Sequence, residues 1–375
     1  MRIGFFTVRM LLGYGVDLVV AELSRRLARD GHEVTVFTTT FDDTFAGEGF
    51  GIEKVEIPGG ELNRALFIYE RNAGRTLHKM RERLEHFDVL VPATFPFYCV
   101  HRHFSGPVLH FDFGNVPTRG FSLRGKLNWA YLHLVETYWH TLRADAVATI
   151  SRFLANRFLP EARRKLTVLH LGGDHYLNEM NARGDDVAAL RRTLRVRLGI
   201  YDDEVVIACC TRLHRRHAPY KNLPELVATF RRLREVGLPV RLLLAGLGSP
   251  DDEAWLRGEG ADVLANLPAA DMPAFYAAAD IYASPSLWEG FNLPLVEAAW
   301  FGVPAIAYDV AAHPETTASI LVSSAAHFRE QLGRLVFSAE SRAKLGEVSR
   351  ARARRFSWEI AYRKFAQLLE GMVNR

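Results

Sequence analysis

Two series of alternating strand-like and helix-like segments constrain the fold of this chain more than any other feature. In the first half, short apolar runs at residues 2–6, 33–38 and 89–92 predict strands, and the segment 16–29 carries apolar residues at helical spacing. The series starts again at "EVVIACC" and continues through "VRLLLAG", "DIYASPS" and "VPAIAYD". Such alternation is typical of parallel sheets with helices on both faces. We therefore predict an α/β fold with two doubly wound, Rossmann-like domains.

A polar stretch, "NEMNARGDD", separates the two series at residues 178–186. We place the N-terminal domain over residues 1–175 and the C-terminal domain over residues 176–356. In open parallel sheets, ligands bind outside the carboxyl ends of the strands. Two such sheets that face each other would form a deep cleft, and we expect the functional site there.

The composition excludes several classes of protein. About half of the 375 residues are apolar and a quarter are charged. The formal net charge of +4 is too small to indicate nucleic acid as a partner, and a basic cleft for a small anion would explain it equally well. Three cysteines are too few for a disulfide framework and indicate a reducing compartment. The sequence contains neither a signal peptide nor a run of about 18 apolar residues. We therefore expect a cytoplasmic protein.

A basic loop follows the first strand of the second series. Its sequence, "TRLHRRHAPYKN", supplies Arg212, Arg215 and Lys221 just before a predicted helix. Fixed positive charges beside the N–H groups of a helix N-terminus form a binding site for an anion. The alternative is a solvated basic loop without a ligand.

Two glutamates flank a short loop in the segment "EGFNLPLVE". Glu289 precedes the loop, and Gly290 lets the backbone approach a ligand closely. We place Glu297 on the first turn of the following helix, where its carboxylate could accept hydrogen bonds from vicinal hydroxyls such as those of a ribose. Alternatively, Glu297 only complements the helix dipole and Glu289 is a surface acid. The loop also presents backbone N–H groups for sugar hydroxyls or a phosphate, those of Phe291, Asn292 and Leu293.

The "EGFNLPLVE" segment resembles the E-x7-E signature of the retaining, nucleotide-sugar-dependent glycosyltransferases with the GT-B fold, in particular the group called family 4. Further segments similar to this family occur in the expected order: "GHEVTVFT", "ADAVATISRF", "VLHLGGDHY", "LLLAGLG" and "EAAWFGVPAIAYD". The resemblance covers nearly the whole chain. It implies a GT-B fold and a hexosyltransferase that moves a sugar from a nucleoside diphosphate donor, such as a UDP-sugar or GDP-sugar, to an acceptor hydroxyl with retention of configuration.

The resemblance also implies roles for residues of the second domain. Arg212 and Lys221 match the arginine and lysine that bind the donor diphosphate and stabilise the charge of the leaving group. Because "HRRHAPY" looks like a small insertion, Arg215 is an alternative to Arg212. Glu297 matches the acid that binds the ribose, and Glu289 matches the acid beside the transferred sugar.

In the first domain, the resemblance implies a catalytic histidine that faces the donor sugar. His110 in "PVLHFDFGN" is the best candidate, and Asp112 is the alternative polar group. The loop "RMLLGYGVD", which includes Gly15, corresponds to the glycine-rich loop that contacts the diphosphate or the acceptor. The terminal helix, residues 357–375, is expected to pack back on the first domain, as in relatives.

No metal and no other cofactor is expected. The chain lacks an Asp-x-Asp triplet, and its Asp-Asp pairs are typical of turns and helix starts. Its histidines show no metal-ligand spacing. Two other readings stay open: a sugar-nucleotide 2-epimerase of the same architecture, and a non-catalytic nucleotide-sugar-binding partner of another transferase.

The segment Leu123–Leu142 combines aromatic and basic residues, and such a helix is typical of a peripheral contact with a membrane, here its inner face. A core helix of the first domain is the alternative. The acceptor could be a small molecule, a glycan or a lipid-linked sugar, and the sequence determines neither it nor the oligomeric state. The residues concerned are Trp129, Tyr131, Tyr138 and Trp139, with Arg119, Arg124 and Lys126 before or near the start of the helix.

Overall fold

The computed structural model describes residues 1–58, 65–118, 121–215, 218–316 and 319–374. The chain forms two compact units: unit 1 contains residues 1–170 and the chain from Ala361 onward, and unit 2 contains residues 171–360. The units therefore divide a few residues before the predicted boundary at 175/176, because the segment after His170 packs on elements of unit 2. Arg119, named above, lies outside the described residues.

Unit 1 is built on seven parallel strands. Four of them pair in the order β3-β2-β1-β4 and three in the order β5-β6-β7, and a parallel bridge between Leu90 and Val108 links the two groups. The strands are β1 Arg2–Thr7, β2 Glu33–Thr38, β3 Gly51–Lys54, β4 Val89–Pro92, β5 Leu109–Asp112, β6 Ala146–Thr149 and β7 Leu166–Val168.

Helices cover the strands of unit 1. A 3₁₀ segment at Phe97–Arg102 precedes β5, and a π-helical segment at Val135–His140 follows the fourth helix. The α-helices are α1 Gly15–Arg29, α2 Leu66–Lys79, α3 Arg81–Leu84, α4 Leu123–Leu134, α5 Thr141–Arg143, α6 Arg152–Ala155 and α7 Pro160–Arg163.

Unit 2 contains one parallel sheet in the order β10-β9-β8-β11-β12-β13. This is the Rossmann order 3-2-1-4-5-6, in which the chain first builds outwards on one side of its first strand and then on the other. The doubly wound arrangement predicted for this half is confirmed. The strands are β8 Val205–Cys210, β9 Val240–Gly246, β10 Asp262–Ala265, β11 Ile281–Ser284, β12 Ala305–Tyr308 and β13 Ile320–Val322.

The helices of unit 2 correct one prediction. The polar stretch at 178–186, expected to separate the domains, lies largely in a helix, and Asp186 caps the next helix by accepting a hydrogen bond from the N–H of Ala189 at 2.9 Å. The α-helices are α8 His175–Arg183, α9 Val187–Arg197, α10 Leu223–Glu235, α11 Pro250–Gly258, α12 Met272–Ala278, α13 Leu293–Trp300, α14 Ala325–Phe337 and α15 Ala339–Ala353, and α16 Trp358–Val373 ends the chain.

The core of unit 2 explains the apolar strand runs. Along β8, Val205, Ile207 and Cys209 face one hydrophobic cluster, while Val206 and Ala208 face the other. A strand that is buried on both faces needs apolar residues at every position, which is why "VVIACC" shows no alternation. The thiol of Cys209 is buried, as expected from the sequence.

The predicted helix Leu123–Leu142 is not one regular helix. It consists of α4, the π-helical segment and the short α5, and no residue of α4 is fully buried. Only the later part contributes buried side chains, among them Glu136 and His140. α4 therefore lies at the edge of the core, against which Tyr131 and Leu132 pack while partly buried. None of the helices in the described part of the chain has the length and apolarity needed to cross a bilayer.

Candidate functional site

The candidate site of unit 2 lies at the carboxyl ends of β8 and β11, which are neighbours at the centre of the sheet. The connection after β8 leads to one side of the sheet and the connection after β11 leads to the other, so the two loops diverge and leave a crevice. Lys221 lies in the loop after β8, and Glu289 lies in the loop after β11. The fold therefore brings together two groups that are 68 positions apart in the sequence.

Lys221 and Glu289 form an ion pair. The Nζ atom of Lys221 lies 2.8 Å from Oε1 and 3.0 Å from Oε2 of Glu289. Burial alone would lower the pKa of Lys221, but the carboxylate of Glu289 raises it above its usual value. Burial would likewise raise the pKa of Glu289, but the ammonium group of Lys221 holds it below its usual value. Both groups are therefore charged at neutral pH.

A hydrogen-bond chain fixes the loop after Glu289. Asn292 has the left-handed φ of 69°, and its Nδ2 atom donates to Oγ of Ser284 at 2.9 Å. The same amide lies 2.8 Å from Nε2 of His313, whose Nδ1 lies 2.8 Å from the carbonyl oxygen of Tyr308. A neutral His313 with its proton on Nδ1 satisfies both contacts. The loop is therefore held by β11, β12 and the segment after β12.

Glu297 lies deeper than the sequence analysis predicted. It is the fifth residue of α13, not a first-turn residue, because the helix begins at Leu293. Its side chain is buried and accepts a hydrogen bond from the hydroxyl group of Tyr276. Burial raises the pKa of Glu297 to about 7, although the bond from Tyr276 acts in the opposite direction. The helix-dipole and surface-acid interpretations of the two glutamates are wrong, since both side chains are buried and hydrogen-bonded.

His175 lies beside Glu297. Its Nε2 atom is 3.5 Å from Oε1 of Glu297, and its Nδ1 accepts a hydrogen bond of 3.0 Å from the indole N–H of Trp358. The backbone N–H of Trp358 in turn donates to Asp174 at 2.7 Å. The bond from Trp358 leaves the proton of a neutral His175 on Nε2, which faces Glu297.

The "GGDH" segment allows this arrangement because its two glycines lie against other backbones. A Cβ atom at Gly172 would lie 2.1 Å from the backbone N of Trp358, and one at Gly173 would lie 3.0 Å from the backbone N of Glu297. Any side chain at these positions would displace α13 or the start of α16. The segment between β7 and α8 therefore helps to set the position of Glu297.

The two candidate arginines have different surroundings. The charge of Arg212 is close enough to Lys221 to lower its pKa, so Arg212 belongs to the same cluster. Arg215 lies over the ring of Trp255, with its Cζ 5.2 Å from the ring centroid, and its backbone N–H donates to Asp252 at 3.1 Å. Arg215 is thus engaged with α11, and the role of Arg212 as the cation that accompanies Lys221 stays a prediction.

The remaining loop residues of unit 2 surround Glu289. Gly290, Phe291 and Leu293 are all buried, and the ring of Phe291 packs edge-on against Phe356 at 5.8 Å. The N–H groups at the start of a helix have no acceptor within the helix, so the first turn of α13 can serve an anion or a hydroxyl. Their use by a donor stays a prediction.

The predicted residues of unit 1 lie as follows. Gly15 is exposed and is the first residue of α1, and a Cβ atom there would meet no atom within 4 Å. His110 lies within β5, is buried and stacks on Tyr98 with ring centroids 4.0 Å apart. Burial lowers the pKa of His110 well below its usual value, so the ring is neutral. Asp112 ends β5 and accepts a hydrogen bond of 2.9 Å from Thr149. The catalytic role of His110 stays a prediction.

The sequence analysis missed the groups that hold the two glutamates. Tyr276 and His175 are hidden in helical segments, and only the folded chain brings them to Glu297. His313 could have been found, because it follows β12, the strand beside β11, and polar residues after neighbouring strands meet at one edge of the sheet. Within the described ranges, no group of three or more His, Cys, Asp and Glu side chains is arranged to hold a metal ion.

Comparison with known families gives matches for both halves of the chain. Residues 14–176 match the model described as Glycosyltransferase Family 4, and residues 204–337 match the model described as Glycosyl transferases group 1. Together the two models cover most of the chain. The O-antigen chain mannosyltransferase B of Escherichia coli is 29% identical over 158 residues, which is 38% of this chain and 40% of that protein. The chain thus spans about two fifths of the length of the first curated relatives it matches.

Solved structures match almost the whole chain. The Anabaena protein Alr3699/HepE, in complex with UDP and glucose, aligns with a TM-score of 0.75 and 16% identity over 99% of this chain and 100% of that chain. WaaG, a glycosyltransferase involved in lipopolysaccharide biosynthesis, aligns with a TM-score of 0.74 and 15% identity over 98% of this chain and 100% of that chain. These matches confirm the predicted GT-B fold. With the two family models, they show that the chain belongs to the family 4 type of GT-B glycosyltransferases.

Proposed function

We propose that the protein transfers a sugar from a nucleoside diphosphate donor to an acceptor hydroxyl, with retention of configuration and without a metal ion. The proposal rests on one observation: Lys221 and Glu289 form an ion pair at the crevice of a Rossmann sheet, and Glu297 is buried on the helix that follows the Glu289 loop. A cationic pair suits a diphosphate, and buried carboxylates suit the hydroxyls of a ribose and a hexose. The related structures that bind UDP, glucose or UDP-glucose support this choice of donor class.

The proposed reaction breaks the bond between the anomeric carbon and the oxygen of the β-phosphate. The electron pair leaves with the nucleoside diphosphate, whose growing negative charge is stabilised by Arg212 and Lys221. One well-placed donor of this kind contributes about 3–4 kcal/mol to the transition state. The acceptor hydroxyl forms the new bond on the same face of the sugar, and its proton passes to the departing phosphate oxygen.

Lys221 has a second task in this scheme. In the absence of a donor, its ammonium group neutralises Glu289, which keeps a buried carboxylate charged and in place. When a diphosphate arrives, the three N–H bonds of the ammonium group can serve both anions at once. Glu289 would then be held beside the sugar hydroxyls without a rearrangement of the loop.

The donor is tested by a thermal-shift screen with a panel of nucleoside diphosphate sugars. A donor present at tenfold its Kd adds about 1.4 kcal/mol to the free energy of unfolding, which gives a measurable shift. Glu297→Ala should abolish most of this shift, because the ribose loses its acceptor. An unchanged Kd in Glu297→Ala would refute the ribose assignment.

The catalytic cation is tested with a matched pair of variants. Arg212→Ala should lower turnover about a hundredfold with a smaller loss of donor affinity. Arg215→Ala removes the same charge from the same loop and should leave turnover almost unchanged, since Arg215 lies on Trp255. The reverse result would move the diphosphate role to Arg215.

The turnover assay also tests retention of configuration, metal independence and the two alternative functions. Retention predicts that the product has the anomeric configuration of the donor, which NMR of the product reports. Metal independence predicts equal turnover with and without a chelator. An epimerase would convert the donor without any acceptor, and a non-catalytic partner would bind it without turnover.

A further inference from the structure

A groove of about 1070 Å³ in unit 1 has no part in the proposed reaction. It lies between α2, the 3₁₀ segment and the α4–π segment, and it contains none of the predicted site residues. We call it the α2–α4 groove. Its lining is unusual, because permanent cations and large aromatic side chains occur together around a buried carboxylate.

A polar network forms the floor of the α2–α4 groove. Glu70 of α2 accepts a hydrogen bond of 2.5 Å from the hydroxyl group of Tyr131, and its Oε1 lies 3.0 Å from Nε2 of His140. Nδ1 of His140 lies 3.0 Å from Nε2 of His101. Burial would raise the pKa of Glu70, but the bonds from His140 and Tyr131 hold it below its usual value. Glu70 and Tyr131 thus join α2 to α4 by a fixed polar contact.

The rim of the α2–α4 groove is cationic. Arg71, Arg75 and Lys79 are exposed along one side of α2, and none forms an ion pair with another described side chain. Arg102 lies on the opposite side, with its guanidinium 3.8 Å from Glu70. Among the described residues that line the groove, four permanent cations occur with one carboxylate, Glu70, which is already hydrogen-bonded. An anion in the groove would meet uncompensated positive charge.

The same groove exposes large apolar side chains. Phe67, Leu134 and Trp139 line it and keep 56%, 59% and 46% of their surface accessible. Beyond the groove, Leu123 and Leu127 are 76% and 64% exposed, and their spacing puts them on the same face of α4 as Leu134. Large apolar side chains that are exposed together on one part of a protein surface indicate an interaction site.

We propose that the α2–α4 groove and the leucine face of α4 bind an anionic phospholipid at a membrane surface. The cations of α2 and Arg102 hold the phosphate, and Phe67, Leu134 and Trp139 contact the boundary of the acyl chains. A soluble anion would satisfy the cations but would leave Leu123 and Leu127 in water, so the observations favour a lipid. Basic residues beside leucine and aromatic side chains are the combination that interfacial helices use.

This inference does not depend on glycosyl transfer, so its test measures binding and not turnover. The full chain is sedimented with vesicles of phosphatidylcholine alone or with about one third phosphatidylglycerol. We expect partition into the anionic vesicles only, and a loss of this partition in high salt. Arg71→Ala/Arg75→Ala should reduce the partition coefficient about thirtyfold, the effect of two cations near the surface.

A matched double variant controls for net charge. Arg192 and Arg197 are exposed on α9 of unit 2, so Arg192→Ala/Arg197→Ala removes the same charge outside the groove and should bind vesicles as the wild type does. Phe67→Ala tests the apolar part and should weaken vesicle binding several-fold. Because Phe67 is half exposed, Phe67→Ala should fold normally. The groove can therefore be tested with this variant even if the double arginine variant does not fold.

Three results would overturn the inference. Equal binding to neutral and anionic vesicles would show that the cations are not used, and wild-type binding by the groove variants would show that the groove is not the site. If vesicles do not bind but free glycerol phosphate stabilises the wild type and not Arg71→Ala/Arg75→Ala, the groove is a site for a soluble anion and not for a membrane. Nucleotide binding is measured separately, so none of these three results decides whether the proposed glycosyl transfer is correct.

Discussion

At the scale of single residues, the candidate site depends on two buried carboxylates that are stabilised in opposite ways. Glu289 has a cationic partner, whereas Glu297 accepts a hydrogen bond from the hydroxyl group of Tyr276 and lies beside His175. A buried carboxyl group beside an opposite charge stays ionised. Without such a partner, burial raises the pKa of the group and favours its neutral form. The two glutamates of one signature therefore respond differently to pH and to substitution.

Lys221→Ala should lower the free energy of unfolding by about 3 kcal/mol or more at pH 8, because Glu289 is then a buried charge without a partner. In the wild type the pKa of Glu289 is depressed, so its ion pair stabilises the fold above the unfolded pKa and is lost as the pH falls. The deficit of the variant should therefore shrink at acidic pH. Urea denaturation followed by circular dichroism measures both.

The control for this experiment is Lys344→Ala, which removes an exposed lysine of α15 and should change stability by less than about 0.5 kcal/mol. Adding Glu289→Gln to Lys221→Ala should recover part of the loss, since the unpaired charge is removed. Equal stability of wild type and Lys221→Ala across the pH range would contradict the buried ion pair.

The raised pKa of Glu297 predicts the opposite dependence on pH. The group ionises near 4.5 in the unfolded chain and near 7 in the folded one, so the folded state binds the extra proton between these values. As the pH rises through that window, the free energy of unfolding of the wild type should fall by about 1.4 kcal/mol per pH unit relative to that of Glu297→Gln. Parallel stability curves for the two proteins would disprove the shift. If Glu297 binds the donor ribose as proposed, its ionised carboxylate is the better acceptor, so the affinity for the donor should increase as the pH is raised through about 7.

At the scale of secondary-structure elements, the position of α13 decides where Glu297 points. Gly173 packs against this helix, and a Cβ atom there would lie 2.8 Å from Cγ1 of Val296 and 3.0 Å from the backbone of Glu297. The glycine segment after β7 thus helps to set the position of Glu297. The sequence analysis noted that this segment is similar to one of the family, but it did not explain why two glycines are needed there.

Gly173→Ala should shift α13 and weaken nucleotide binding at least tenfold, together with a loss of stability of about 1–3 kcal/mol from overpacking. Gly258→Ala, at the end of α11, is the control, because a Cβ atom there would meet no atom within 4 Å. Isothermal titration with a nucleoside diphosphate compares the three proteins. Wild-type affinity in Gly173→Ala would mean that the segment does not position Glu297.

At the scale of the whole molecule, the last helix joins the end of the chain to the first unit. From Ala361 onward α16 belongs to unit 1, and the ring of Phe365 stacks on Phe5 of β1 and Phe111 of β5 at 5.9 and 5.8 Å. The core of unit 1 is therefore completed by residues that are separated from the rest of that unit by all of unit 2 in the sequence. A chain truncated before α16 would lack one wall of that core.

Phe365→Ala should lower the free energy of unfolding of unit 1 by about 3–5 kcal/mol, the usual cost of removing a buried phenylalanine. Ile360→Ala lies on the same helix but is half exposed, and it should cost much less. Differential scanning calorimetry of both variants provides the measurement. Equal, small effects of the two substitutions would show that α16 contributes little to unit 1.

Much of this architecture could be predicted from the sequence because its determinants are local. The period of apolar residues identified β8, β9, β11 and their helices, and the strand ends identified Lys221, Glu289 and Glu297 as candidates. Local patterns are less informative where polar residues lie within helices. The stretch at 178–186 looked like a linker but forms α8, since helical hydrogen bonds and packing on α12 outweigh its polar composition.

The sequence by itself determined the fold class, the family and the residues that bear charge at the crevice, because these depend on short-range patterns and on strand ends. Only the tertiary structure decided the ionisation of these groups and their partners. Lys221 neutralises Glu289, Tyr276 and His175 surround Glu297, and the α2–α4 groove opens over Glu70. The physical reason is that burial and pairing depend on side chains many positions apart, and no local pattern records which of them will meet.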